Sequence, residues 1–155
     1  MKIQQILQKN GILVDLKASD KSEALTQIAG YLVSLYDLKP AQEIVDKILE
    51  RESEMSTGIG FGIAIPHARI NGIDRLYMVA ARIVGGIEFN AIDEQPVFLI
   101  FMMISPAGTS ADHTRVLSSL SRIMSYEEIR RRLMDADSGE AFLDVVAKGE
   151  DKYVQ

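Results

Sequence analysis

Cysteine is absent from the 155 residues. That excludes disulfides, thiolate nucleophiles and cysteine-ligated zinc or iron–sulfur sites together, and it agrees with a reducing compartment. Long apolar runs are also missing. The longest, Val97 to Ile104, is far below the roughly 20 residues that cross a bilayer. The opening Met1-Lys2-Ile3-Gln4-Gln5-Ile6-Leu7 lacks the apolar core of a secretion signal. A soluble, cytoplasmic chain without membrane insertion is therefore expected. Positive charge is in deficit. The net charge is -5 and the pI is about 5.1, so the chain repels phosphate backbones and no nucleic acid is expected as a partner. Histidine is scarce, with only two residues, His67 and His113.

What is present is an ordinary globular composition, 47% apolar and 25% charged. The length fits one domain spanning residues 1–155, long enough to bury a sizeable core. Ile3, Ile6 and Leu7 share one face of a short helix over 2–8, which Gly11 breaks before a brief strand, Ile12-Leu13-Val14. Asp20 and Glu23 form a capping box. Beyond them Leu25, Ile28, Ala29, Leu32, Val33 and Tyr36 recur at helical spacing, predicting a helix over 20–36. Pro40 suits the first turn of the next helix, with Ile44, Val45, Ile48 and Leu49 inward and Arg51 in its last turn.

Strand signals occupy the middle of the chain. Ile63-Ala64-Ile65 reads as a short strand kept extended by Pro66. Leu76 to Val84 reads as a second strand ended by Gly85-Gly86, with Ile87-Glu88-Phe89 as a short edge strand. The unbroken apolar run after Pro96 is that of a strand covered on both faces. Three helices follow: 111–124 capped by Ser110, 126–136 with a Ser125/Glu128 capping box, and 139–148 capped by Ser138 and stopped by Gly149. This order predicts an α/β single-domain sandwich, a mixed and mostly parallel sheet of about four to five strands flanked by helices.

Chemistry concentrates in Ser56-Thr57-Gly58-Ile59-Gly60-Phe61-Gly62-Ile63-Ala64-Ile65-Pro66-His67. An imidazole, with an ordinary pKa near 6.5, is a competent nucleophile around neutrality. Phosphoryl transfer asks little more of a protein than a placed nucleophile and local positive charge. A lone histidine after proline is more often structural, so its surroundings must decide. The glycines spell G-x-G-x-G. They lack the G-K-[ST] ending of a Walker loop and the spacing of a dinucleotide fingerprint. They read as a tight turn between helix and strand whose amides can face an anion. His113 falls in the first turn of a predicted helix, where the partial positive charge favours an anion. The Arg51 guanidinium suits bidentate phosphoryl contact, although arginines in charged clusters are commonly only solvated. Arg130-Arg131-Arg132 reads as a solvated helix face, with docking of an acidic partner as the alternative. A metal site is the rival chemistry. His67 and His113 are far apart in sequence and no H-x-H or H-E-x-x-H pair exists, so no metal is expected. No Gly-x-Ser-x-Gly elbow is present.

Arg51-Glu52, the run from Ser56 to Gly60, Gly62-Ile63-Ala64-Ile65-Pro66-His67 and the downstream His113 together resemble the enzyme IIA components of the bacterial sugar phosphotransferase system, fructose/mannitol class. Ile87-Glu88-Phe89-Asn90-Ala91-Ile92-Asp93-Glu94-Gln95-Pro96-Val97 is similar to the nitrogen-regulatory branch, IIA-Ntr. The resemblance runs from about Ile3 to Val146. Thr114 departs from it, standing where the family commonly has leucine. The resemblance implies a mixed sheet flanked by helices. It implies a phosphocarrier whose His67 accepts a phosphoryl group from a phosphohistidine carrier of the HPr or NPr kind, assisted by Arg51 and His113. By the same resemblance Thr57, with Gly58 and Gly60, supports the phosphoryl group. No nucleotide, metal or other cofactor is implied. The output is either regulation of target proteins or passage of the phosphoryl group to a IIB component for sugar uptake.

Overall fold

The computed structural model describes residues 1–108 and 111–154. Along the chain they form α1 (Ile3–Ile6), a 3-10 turn (Lys9–Gly11), β1 (Ile12–Leu16), α2 (Lys21–Leu35), α3 (Ala41–Glu54), β2 (Gly58–Gly60), β3 (Ile63–Ala64), β4 (His67–Ile70), β5 (Tyr77–Ile87), β6 (Val97–Pro106), α4 (Ala111–Met124), α5 (Glu127–Asp135) and α6 (Gly139–Tyr153). The six strands make one sheet in the order β1-β5-β6-β3-β2, with β4 also paired to β6. β1/β5, β3/β6 and β4/β6 are parallel, whereas β2/β3 and β5/β6 are antiparallel. The sheet is mixed, as expected, and has more strands than the four to five anticipated.

The apolar run Val97–Ile104 explains the centre of this sheet. It lies in β6, with β5 along one side and β3 and β4 along the other. Its side chains alternate between two cores. Val97, Ile100, Met102 and Ile104 pack with α2 and α3 residues such as Ile28, Leu32 and Ile48. Leu99, Phe101 and Met103 pack with α4 to α6 residues such as Val116, Leu120 and Phe142. Burial on both faces needs apolar residues at every position, which is why the run does not alternate.

Several local signals acted differently from their plain reading. The Asp20 half of the capping box forms, with Glu23 N–H donating to Asp20 at 2.8 Å, while the Glu23 carboxylate accepts from Ser19 and Gln27. Pro40 is the N-cap of α3 rather than a first-turn residue. Tyr126, not Ser125, occupies the N-cap position of α5 and makes no side-chain cap bond, and the Ser125 hydroxyl donates to the Arg122 carbonyl. Ser138 caps α6 as expected, accepting from Ala141 N–H. Gly149 does not stop that helix. It is buried within it, where a Cβ would come within 3.0 Å of Ile123 and 3.1 Å of Ile129, so the glycine permits helix packing. The Ser110 cap falls outside the described residues.

One further strand, β2, lies where the glycines read as a tight turn. Gly58–Gly60 pairs antiparallel with β3, and the hairpin turns on Phe61 and Gly62, whose φ values are +60° and +78°. Two consecutive positive φ values match the right-handed twist of a tight hairpin. Gly85 and Gly86 do not end β5 either. Pairing slips between Arg82 and Ile87, so the glycines form a bulge and Ile87 closes the strand instead of opening another. Both have positive φ, and a Cβ on Gly86 would lie 2.8 Å from the Phe98 ring. Gly86→Ala is expected to lower stability by about 1–3 kcal/mol through backbone strain and overpacking, read as a lower urea midpoint.

Candidate functional site

His67 opens β4 instead of closing the strand before it. The pairs Ile63–Leu99 and Ala64–Ile100 in β3, and His67–Met103 and Ala68–Ile104 in β4, share one constant offset. β3 and β4 are thus a single line of chain along β6, interrupted at Ile65-Pro66. Proline has no N–H for a ladder and restrains its predecessor, so the interruption falls where the sequence places it. The Ile65 carbonyl lies 2.7 Å from His67 Nδ1. A carbonyl only accepts, so Nδ1 carries the proton and the lone pair of the neutral ring is on Nε2.

β2 pairs with β3 but not with β4, so the sheet ends at β4 beyond the hairpin. A cleft of about 430 Å³ opens there, lined by Lys47, Glu50, Arg51 and Glu54 of α3, by His67, Ala68 and Arg69 of β4, and by His113 of α4. Helices from the two layers therefore meet at one strand. The rings of His67 and His113 are 5.4 Å apart between centroids and inclined at 71°. His67 is half-buried and His113 buried. The His113 Nδ1 lies 2.5 Å from the hydroxyl of Ser105, which is fully buried on β6. Arg69 donates to the Gly108 carbonyl at 2.8 Å and pairs in register with Ser105.

Electrostatics separate the two rings. Burial, then the nearby Arg69 guanidinium and His67, push the His113 pKa down to about 4. His113 is consequently a neutral imidazole at neutral pH. The cleft holds three cationic side chains, Lys47, Arg51 and Arg69, against two carboxylates, Glu50 and Glu54. Its balance favours an anion, although the whole chain is acidic. Among the described residues, no group of three or more histidine, aspartate or glutamate side chains is placed to hold a metal ion. None of the helices described is long and apolar enough to cross a membrane.

The structure brings His67, His113 and Arg51 together and leaves Thr57, Gly58 and Gly60 outside the residues lining the cleft. The Thr57 hydroxyl and N–H both donate to the buried carboxylate of Glu52, at 2.5 and 2.8 Å, and Lys21 pairs with the same carboxylate at 3.0 Å. Gly58 packs on the Ala91 backbone, where a Cβ would approach to 2.8 Å, and Gly60 lies beside Asp93. These residues fasten the end of α3 and the hairpin to neighbouring loops. Sequence reasoning missed Arg69, Lys47 and Ser105. Strand and helix periods would have found the first two: Arg69 is two residues from His67 on a strand, and Lys47 four from Arg51 on a helix. Ser105 had no signal beyond being the first polar residue after the apolar run.

Fold and cleft together define an α/β domain built to present one imidazole beside a second and beside arginine. The chain belongs to the family described as phosphoenolpyruvate-dependent sugar phosphotransferase system, EIIA 2, whose profile matches residues 5–149. It is 42% identical over 104 residues to the fructose-specific EIIA component of Haloferax volcanii, covering 67% of this chain and 68% of that protein. It is 29% identical to a nitrogen regulatory protein of Bradyrhizobium diazoefficiens, covering 95% of both. The crystal structure of IIA-Ntr from Neisseria meningitidis superposes with a TM-score of 0.87 at 30% identity, covering 93% of this chain and 98% of that one.

The depressed His113 value has a measurable consequence. Its folded pKa of about 4 lies below the ordinary imidazole value, so the unfolded chain takes up the proton first. Stability attached to this group is complete above about pH 6.5 and declines as pH falls towards 4. His113→Gln should flatten the dependence of unfolding free energy on pH in that window, by up to about 1.4 kcal/mol per pH unit, measured by urea denaturation at several pH values.

Proposed function

We propose that the chain is a phosphocarrier in which His67 accepts a phosphoryl group from the phosphohistidine of an HPr- or NPr-like carrier protein. The observation that carries this reading is the His67 tautomer: Nδ1 is committed to the Ile65 carbonyl at 2.7 Å, so the lone pair sits on Nε2 of a ring lining a cation-bearing cleft. The Nε2 lone pair attacks phosphorus in line. The bond from phosphorus to the donor nitrogen breaks, and its electron pair returns to the donor ring. Nδ1 keeps its proton, donated to the Ile65 carbonyl, throughout. Arg51 and the N–H of neutral His113 stabilise charge on the equatorial oxygens, which is where positioned donors have most effect. Thr57, Gly58 and Gly60 act indirectly, by holding the end of α3 that carries Arg51.

The physiological output in this reading is regulatory. A phosphoryl group on His67 adds charge to an exposed cleft and changes which protein docks there. Likeness to nitrogen regulatory proteins over 95% of the chain supports it. Passage to a IIB component is the second reading, favoured by the 42% identity to a fructose-specific EIIA component. Transfer of label onto a IIB protein would select transport. A target captured by only one phosphorylation state would select regulation.

Incubation with a labelled phosphohistidine carrier should produce an acid-labile phosphate on the protein. His67→Ala and His67→Gln should abolish it, and normal labelling of either variant would overturn the assignment. Arg51→Lys should slow labelling by about 10- to 100-fold, since an ammonium cannot reproduce a bidentate guanidinium contact.

A further inference from the structure

We propose that Ser105 is a positioning residue that fixes the tautomer of His113: its hydroxyl donates to Nδ1, so the ring carries its proton on Nε2. The proposal rests on the reading above, in which His113 offers an N–H to a phosphoryl oxygen. Ser105 has no exposed surface, and it follows eight buried or half-buried apolar positions on β6. A hydroxyl in that place requires a partner, and His113 Nδ1 lies 2.5 Å from it. β6 aims it correctly, because Ser105 is two residues beyond Met103, the register partner of His67, and is itself the register partner of Arg69. Two paired strands, β4 and β6, therefore deliver His67, Arg69 and Ser105 to the same end of the sheet.

The direction of the hydrogen bond follows from what each group has to offer. A neutral imidazole has one donor nitrogen and one acceptor nitrogen. If Nδ1–H donated to Ser105, the serine proton would need a second buried acceptor. The Nε2 lone pair would then repel an anionic phosphoryl group. With Ser105 donating, both demands are met, and the N–H is in place before the anion arrives. Preorganised donors of this kind need no rearrangement at the moment of reaction. The arrangement matches the histidine sites in which the partner of one ring nitrogen decides the role of the other.

Nitrogen-15 imidazole spectra at pH 7 test the tautomer directly. Wild-type His113 should show an unprotonated Nδ1 and a protonated Nε2, and a protonated Nδ1 would overturn the proposal. Ser105→Ala should give a mixture of tautomers, whereas Ser105→Thr, which keeps the hydroxyl, should restore the single form. An unchanged spectrum in Ser105→Ala would also overturn it. In labelling assays Ser105→Ala should reduce the rate at saturating carrier about tenfold with KM unchanged, and should have no effect in a His113→Ala background. An equal loss in both backgrounds would reduce Ser105 to a packing role. Should Ser105→Ala fail to fold, the wild-type spectrum and Ser105→Thr still decide. Absence of any label on the wild-type protein would refute the phosphocarrier reading and leave the tautomer result standing.

Discussion

The hydrogen bond between His67 Nδ1 and the Ile65 carbonyl is the contact on which the site depends. It exists because one line of chain along β6 is interrupted for two residues and then resumes in the same register. Without the interruption, an imidazole at this position would be one more side chain of a strand. With it, a backbone carbonyl two residues back decides which ring nitrogen keeps a lone pair. The resumption matters equally. The Met103 N–H donates to the Pro66 carbonyl at 2.9 Å, so β6 grips the segment on the far side of the break and fixes the ring against a rigid strand.

Around that bond the protein assembles unlike neighbours from distant parts of the chain. α3 brings Arg51 and Lys47 from one layer, and α4 brings His113 from the other. The end of α3 is secured by Glu52, whose carboxylate is only 3% exposed at the residue level and holds Lys21 together with the N–H and hydroxyl of Thr57. Removing the Lys21 partner would leave the buried Glu52 carboxylate uncompensated, a destabilising change. Thr57 thereby helps to hold the end of α3 and is not among the residues lining the cleft. The glycines beside it have a similar duty, allowing β2 to lie against the loop at Ala91 and Asp93.

Much of this was legible in the residues. The 3.6-residue period located α2, α3 and α4, because each buries one stripe against the sheet. The apolar run located β6, because a strand covered on both faces cannot alternate. The misplaced boundaries have physical causes. Gly85-Gly86 looked like a stop because glycine can end a strand or bulge it, and only the Phe98 ring across the ladder distinguishes the two. Gly149 looked like a helix stop for the same reason, until α4 and α5 supplied the side chains that need its missing Cβ. The six-strand count escaped because β2 and β4 have three and four residues, too short to carry a period.

The sequence by itself determined the layered α/β class and the absence of thiol chemistry. Those follow from composition and local periodicity, which are properties of neighbouring residues. Tertiary structure alone decided which cations share the cleft, why His113 stays neutral and that Thr57 bonds the Glu52 carboxylate. These depend on burial and on distances between residues remote in the chain, and Coulomb interactions and desolvation are functions of position in space, not of position in sequence.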